Sequence, residues 1–178
     1  MSDARGQARA LTVLTPVARG RTPDLRKTLE RLPPGELSPL ARLPGTHFAR
    51  FAIVTDLGGD QLLFSSTFDV HPPGYLGEIC SRMPEEADEI WSHCDGYPGT
   101  ADPEGFVQYL ERHRVKTTLF VAAYPDATLD DVRDGLALRG RLAEFVAPAQ
   151  SMTPEELQAA FHERVLVEPR ERQVVRSG

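Results

Sequence analysis

No stretch of this 178-residue sequence approaches the roughly 18 or more uninterrupted apolar residues that a membrane-spanning helix requires, and Met1–Thr15 lacks the apolar run of a secretory leader. The chain is therefore expected in the cytoplasm, with no membrane partner. Cysteine is scarce: Cys80 and Cys94 are too few for a disulfide framework, and a reducing interior suits both. The strong chemical signatures are missing too. There is no Gly-x-Gly-x-x-Gly, no phosphate-binding P-loop, no His-Glu-x-x-His, no Cys-x-x-Cys and no nucleophile elbow, so a nucleotide or metal function would have to be assembled from scattered residues. With a formal net charge of −6 and no basic, aromatic-rich surface motif, nucleic acid is not an expected partner.

What is present is an ordinary globular composition, 40% hydrophobic and 26% charged, away from the disordered and fibrous extremes. The length favours one domain with its own core. Charge is unevenly spread. Met1–Arg50 carries nine Lys/Arg against four Asp/Glu, a net of about +5, whereas Asp69–Glu111 carries ten acidic residues against one basic, about −9. Two readings follow: solvated faces that differ in sign, or a basic segment that pairs with another subunit's acidic one or draws an anion.

Met1–Ala10 lacks periodicity and reads as a disordered start, and residues 168–178 as a flexible charged tail, which leaves one domain over residues 11–167. Leu11–Val17 alternates as a first strand that Pro16 brings to its end. Thr22-Pro23-Asp24 opens a helix with Thr22 as its cap, carrying Leu25, Leu29 and Leu32 and stopping at Pro33-Pro34. Pro33–Gly45 reads as a long loop. Thr46–Thr55 and Gln61–Asp69 form a strand hairpin; Ala49, Phe51 and Ile53 share one face, Phe48, Arg50 and Ala52 the other, and Leu62, Phe64 and Phe68 oppose Ser65, Thr67 and Asp69. Leu76, Cys80, Met83, Ala87, Ile90 and Cys94 recur at helical spacing, which puts both cysteines on a buried stripe with a break at Pro84. A helix around Phe106–His113 follows, then a fourth strand over Thr117–Tyr124 closed by Pro125, a helix capped by Thr128, and a last helix opened by the capping box Thr153-Pro154-Glu155-Glu156.

This order predicts an α+β, ferredoxin-like βαββαβ fold with a four-stranded antiparallel sheet and extra helices inserted before strand 4 and at the C-terminus. Helices on one face leave the other to be covered. Since apolar burial is worth about 25 cal/mol per Å², a homodimer through that sheet face, or a ligand there, is expected.

Three residues suggest catalysis. His47 opens the second strand, and Arg50 projects from the mixed face toward Ser65, Thr67 and Asp69; a histidine, an arginine and a carboxylate around a half-open sheet suit an acidic or peroxidic small molecule. The competing reading is a cross-strand Arg50–Asp69 ion pair. For cofactor binding the candidates are His93, beside Cys94 and near Cys80, where zinc or haem iron could be held, and His71, in the loop after the third strand. The competing readings are core cysteines and a plain surface histidine.

In the same order, Thr46-His47-Phe48-Ala49-Arg50-Phe51, Leu62-Leu63-Phe64-Ser65-Ser66-Thr67-Phe68-Asp69, Ile90-Trp91-Ser92 with Gly96-Tyr97-Pro98, and Ala122-Ala123-Tyr124-Pro125 resemble an uncharacterised bacterial domain found in proteins related to dye-decolourising haem peroxidases. The resemblance spans roughly residues 10 to 146. It implies a ferredoxin-like fold of the dimeric α/β-barrel type with haem or peroxide chemistry nearby, and haem as the candidate cofactor. The chain departs from the family at Val70, where glycine is usual, and lacks the Gly-x-x-Asp-Gly signature of the true peroxidases. The expected role is therefore a non-catalytic or accessory domain beside a haem peroxidase-like enzyme. The alternative is a small dimeric-barrel oxidoreductase, peroxidase- or monooxygenase-like, using a cavity under the sheet.

Overall fold

The computed structural model describes residues 8–55, 58–69 and 71–166. Among these the chain is α+β, with three strands, β1 (Arg9–Pro16), β2 (Thr46–Val54) and β3 (Gln61–Phe68), and six α-helices: α1 (Thr22–Arg31), α2 (Pro72–Arg82), α3 (Pro84–Trp91), α4 (Pro103–Arg112), α5 (Leu129–Ala149) and α6 (Pro154–Arg164). Two short 3-10 turns, Gly35–Leu37 and Pro39–Arg42, occupy the expected loop. β1 starts two residues earlier than the alternation suggested, at Arg9. Residues 1–7 of the expected disordered start and the expected tail, 168–178, lie outside the described residues. The chain divides into two compact units, one up to Leu129 and one from Asp130.

In the first unit the sheet is antiparallel in the order β1-β3-β2. β3 is central because its sequence can face both ways: Leu62, Phe64 and Phe68 are fully buried on one side, while Ser65 and Thr67 lie on the other. Helices α1 to α4 all contribute to the core on the buried side, through Leu25, Leu76, Ile90 and Phe106 among others. Trp91 sits edge-on to Phe51, Phe64 and Phe106 at 5.5, 5.7 and 5.8 Å between ring centres, and Phe68 stacks on Tyr75 at 3.9 Å. Each such large side chain contributes about 1.5–3 kcal/mol by leaving water.

The stripe is buried as its spacing predicted, but it is helical only in part: Met83 lies between α2 and α3, and Cys94 lies beyond α3, bridged to Val17. Leu76, Cys80, Met83, Ala87, Ile90 and Cys94 are all buried, and the break falls at Met83, whose φ of −142° and ψ of 50° lie outside the helical region that a following proline disfavours for its neighbour. Prolines open α1, α2, α3 and α4, where a missing N–H costs nothing. Thr22 does not cap α1 as expected; Arg21 holds the cap position and the Thr22 hydroxyl instead donates to Asp60 at 2.5 Å.

The four-stranded sheet is not formed among the described residues: Thr117–Tyr124 is not a strand. The reason is an occupied edge. Asp95 donates its backbone N–H to Pro16 O, Leu14 donates to His113 O and Val115 donates to Thr12 O, so the outer margin of β1 from Thr12 to Pro16 is already taken. The Arg114–Val13 bridge sets a register that would bring residue 119 opposite Ala8, yet Ala8 bonds to Pro125 O, six residues further on. The surplus chain bows out, and Leu119, Val121 and Tyr124 are 81, 76 and 76% exposed.

The second unit holds most of α5, together with α6. Phe145, Ala160 and Val165 are its buried residues, with Ala149, Met152 and Phe161 against them. α6 opens with the predicted capping box, Thr153 and Glu156 bonding each other's backbone N–H. No helix among the described residues is long and apolar enough to cross a membrane.

Candidate functional site

At the start of β2 the ladder slips: Thr46 lies opposite Phe68 and Phe48 opposite Thr67, which leaves His47 as an extra residue in a β-bulge. Bulges re-aim side chains and recur beside functional sites. This one is held by a chain of hydroxyls. Thr46 Oγ1 donates to Tyr75 Oη at 3.2 Å, Tyr75 and Ser66 hydroxyls meet at 2.7 Å, and Ser66 Oγ donates to the Phe48 carbonyl at 3.1 Å. Burial pushes the Tyr75 hydroxyl above its ordinary pKa.

The displaced His47 reaches Asp69 at the end of β3, Nε2 to Oδ1 at 2.5 Å, with the two side chains 15 and 10% exposed. Asp69 Oδ2 accepts the backbone N–H of Leu129, the first residue of α5, at 2.7 Å, and Asp69 donates its own N–H to Gly45 O. Gly45 is required here: its φ is +68°, and a Cβ would stand 3.2 Å from Asp69 Cβ. Asp69 thus joins three parts of the chain: the Gly45–His47 stretch, the end of β3 and the start of α5. The carboxylate can only accept, so Nε2 carries the hydrogen of this bond, which fixes the orientation of the ring.

Arg50 does not join this pair. It is exposed, opposite Ser65, on the sheet face away from helices α1 to α4. A shallow hollow of about 310 Å³ lies there, lined by Phe48, Ala49, Arg50, Ser65, Ser66 and Thr67, without His47 or Asp69. The Arg50–Asp69 ion pair considered from the sequence is replaced by the His47–Asp69 pair, because the bulge brings the histidine closer. On this face Thr12 and Ser65 hydroxyls meet at 3.4 Å, and the Thr67 hydroxyl is buried without a hydrogen-bond partner.

His71 stands exposed at the N-cap of α2, its side chain making no capping bond. His93 is buried, at 7% exposure, and both ring nitrogens are engaged: the Arg21 guanidinium donates to Nδ1 at 3.1 Å, and Nε2 meets Thr28 Oγ1 at 3.3 Å. Burial first, then the charge of Arg21, hold its pKa below the usual histidine value, so the ring is neutral. Cys80 bonds to the Thr100 carbonyl and Cys94 to Thr15; burial pushes the Cys94 thiol up to about 11. Both behave as small core residues. Among the described residues no group of three or more His, Cys, Asp or Glu is placed to hold a metal ion.

A further carboxylate that the sequence did not single out is Asp88. It accepts from Tyr97 Oη at 2.7 Å, Thr100 N at 2.9 Å and Thr100 Oγ1 at 2.8 Å, and so locks the turn between α3 and α4. Burial raises its pKa, but the three hydrogen bonds outweigh that and hold it below the ordinary aspartate value. The spacing of Asp88, Tyr97 and Thr100 carries no periodic signal. The bulge does leave a trace, since Thr46 and Ala49 share the core face although three residues apart. Comparison with protein-family models, with curated proteins and with solved structures finds no match to this chain.

Proposed function

We propose that this chain is a non-catalytic accessory domain that homodimerises through the helix-free face of its sheet and works beside an oxidative, haem peroxidase-like enzyme. Phe48 carries the assembly reading. It is 78% exposed on that face, and a ring left in water forgoes about 1.5–3 kcal/mol that burial would supply. The unpartnered Thr67 hydroxyl beside it supports the same reading, since an unmade buried hydrogen bond costs about 1–3 kcal/mol. The strand order β1-β3-β2 is that of a ferredoxin-like sheet without its fourth strand, the finer reading of the fold adopted here. The oxidative partner is supported by the resemblance of the four sequence segments. The separation of Arg50 from His47 and Asp69 weighs against independent catalysis.

A second reading, a small peroxidase- or monooxygenase-like enzyme of the dimeric-barrel kind, is favoured by the His47–Asp69 pair on its bulge. Light scattering on the purified full chain decides the first reading. A dimer that Phe48→Asp turns into a folded monomer, melting no lower than the dilute wild-type monomer, is expected; a monomer at every concentration overturns it. Absorption spectra with added haem decide the second. A Soret band that His47→Ala shifts would support an enzyme, and a protein indifferent to haem and peroxide would remove that reading.

A further inference from the structure

Lys116–Ala123 makes no backbone–backbone hydrogen bond among the described residues, although Thr117–Tyr124 has the composition of a strand and no charge. An apolar stretch with bare backbone N–H and C=O groups is a template for pairing with another chain. At the opposite margin of the sheet, β2 has an outer edge of its own. Among the described residues no backbone hydrogen bond runs outward from that edge between His47 and Val54. The core thins there: Ala49, Phe51 and Ile53 are only partly buried, while their cross-strand neighbours Ser66, Phe64 and Leu62 are fully or almost fully so.

We propose that Thr117–Tyr124 of one copy adds as a strand to the outer edge of β2 in a second copy, and reciprocally. This rests on the homodimer proposed above and names the contact that closes it. The lengths match, eight residues against the nine of β2. The faces match as well. Leu119, Val121 and Ala123 alternate with Phe120, Ala122 and Tyr124, apolar on both sides, as a strand covered on both sides requires. One row would complete the thin margin at Ala49, Phe51 and Ile53, and the other would lie beside Phe48. Addition within one copy is blocked by reach. Val115 and Pro125 tether the segment to Thr12 and Ala8 on the outer side of β1, so all three strands intervene, about 15–20 Å of sheet at the usual strand spacing.

Two measurements on the full chain test this. In the first, chains carrying Ala52→Cys and Val121→Cys are mixed and oxidised. Both positions are exposed, whereas Cys80 and Cys94 are 6 and 5% exposed and do not compete. The mixed disulfide dimer is expected; cross-linking of Val121→Cys only to itself would mean that the segments pair with each other, and overturns the proposal. In the second, hydrogen exchange of amides 118–123 and of β2 should slow by about tenfold or more between the dilute monomer and the dimer. A dimer whose 118–123 amides exchange at the free-chain rate overturns strand addition but leaves a face-to-face dimer standing. A chain that stays monomeric overturns both.

Discussion

Gln61–Phe68 and Thr117–Tyr124 are both eight residues long and rich in apolar, aromatic and hydroxyl-bearing residues, yet one is the centre of the sheet and the other a bowed loop. Phe64 is 0% exposed and Leu119 81%. Propensity does not separate them. What separates them is whether a neighbouring edge is open: β3 has β1 and β2 on its flanks, whereas the edge nearest residues 117–124 is already held by Asp95, His113 and Val115. Strand-forming sequence is a readiness to pair, and the rest of the fold decides with what.

The largest expected effect sets the two stretches against each other. Phe64→Ala removes a ring packed on Phe51 and Trp91 and should cost about 3–5 kcal/mol in urea unfolding; Leu119→Ala in the monomer should stay within about 0.5 kcal/mol. Similar losses for both would erase the contrast. Next in size is the junction at Asp69. Asp69→Ala strands both His47 and the Leu129 N–H, and about 2–3 kcal/mol is expected by the same measurement, more than for His47→Ala, which leaves the Leu129 bond in place. Equal losses would mean that Asp69 serves the histidine alone.

Smaller effects concern pH. The folded pKa of Asp88 lies below its unfolded value, so its stabilisation is complete above about pH 4 and is lost as pH falls through the lower folded value. Asp88→Asn should therefore be about 1 kcal/mol less stable at pH 7 and show a shallower acid decline in thermal melts. An unchanged acid limb would remove Asp88 from that account. His93 works through its neutral form. The unfolded chain takes up a proton below about pH 6.5 and the folded one does so only at lower pH, so acidification through that window destabilises the fold slightly. Ring resonances of His93 followed by NMR should titrate with a midpoint below the free-histidine value; titration at the free-histidine value would contradict its burial.

Much of this was legible in the chain itself. The alternation of Gln61–Phe68 gave the buried face of β3, the Leu76-to-Cys94 spacing gave the buried stripe and its break, and Thr153 with Glu156 gave the start of α6. These are local patterns, and local physics decides them. The fate of Thr117–Tyr124 was not legible, because competition for an edge depends on residues 13 and 95 meeting their partners across the fold. At the site, His47 and Asp69 were visible as candidates, but their union depends on a bulge. His93 looked like a free ligand until Arg21 and Thr28, distant in sequence, occupied both its nitrogens.

The extra residue in β2 also governs which length changes the chain can tolerate. Thr46 and Ala49 point the same way although an odd step separates them, so deleting one residue between them would restore ordinary alternation, keep the Thr46 hydroxyl on the side of Tyr75 and remove the extra position from which His47 reaches Asp69. At the far end of the strand, around Gly58 and Gly59, the same deletion would fall in a turn and leave every side chain on its own side of the sheet.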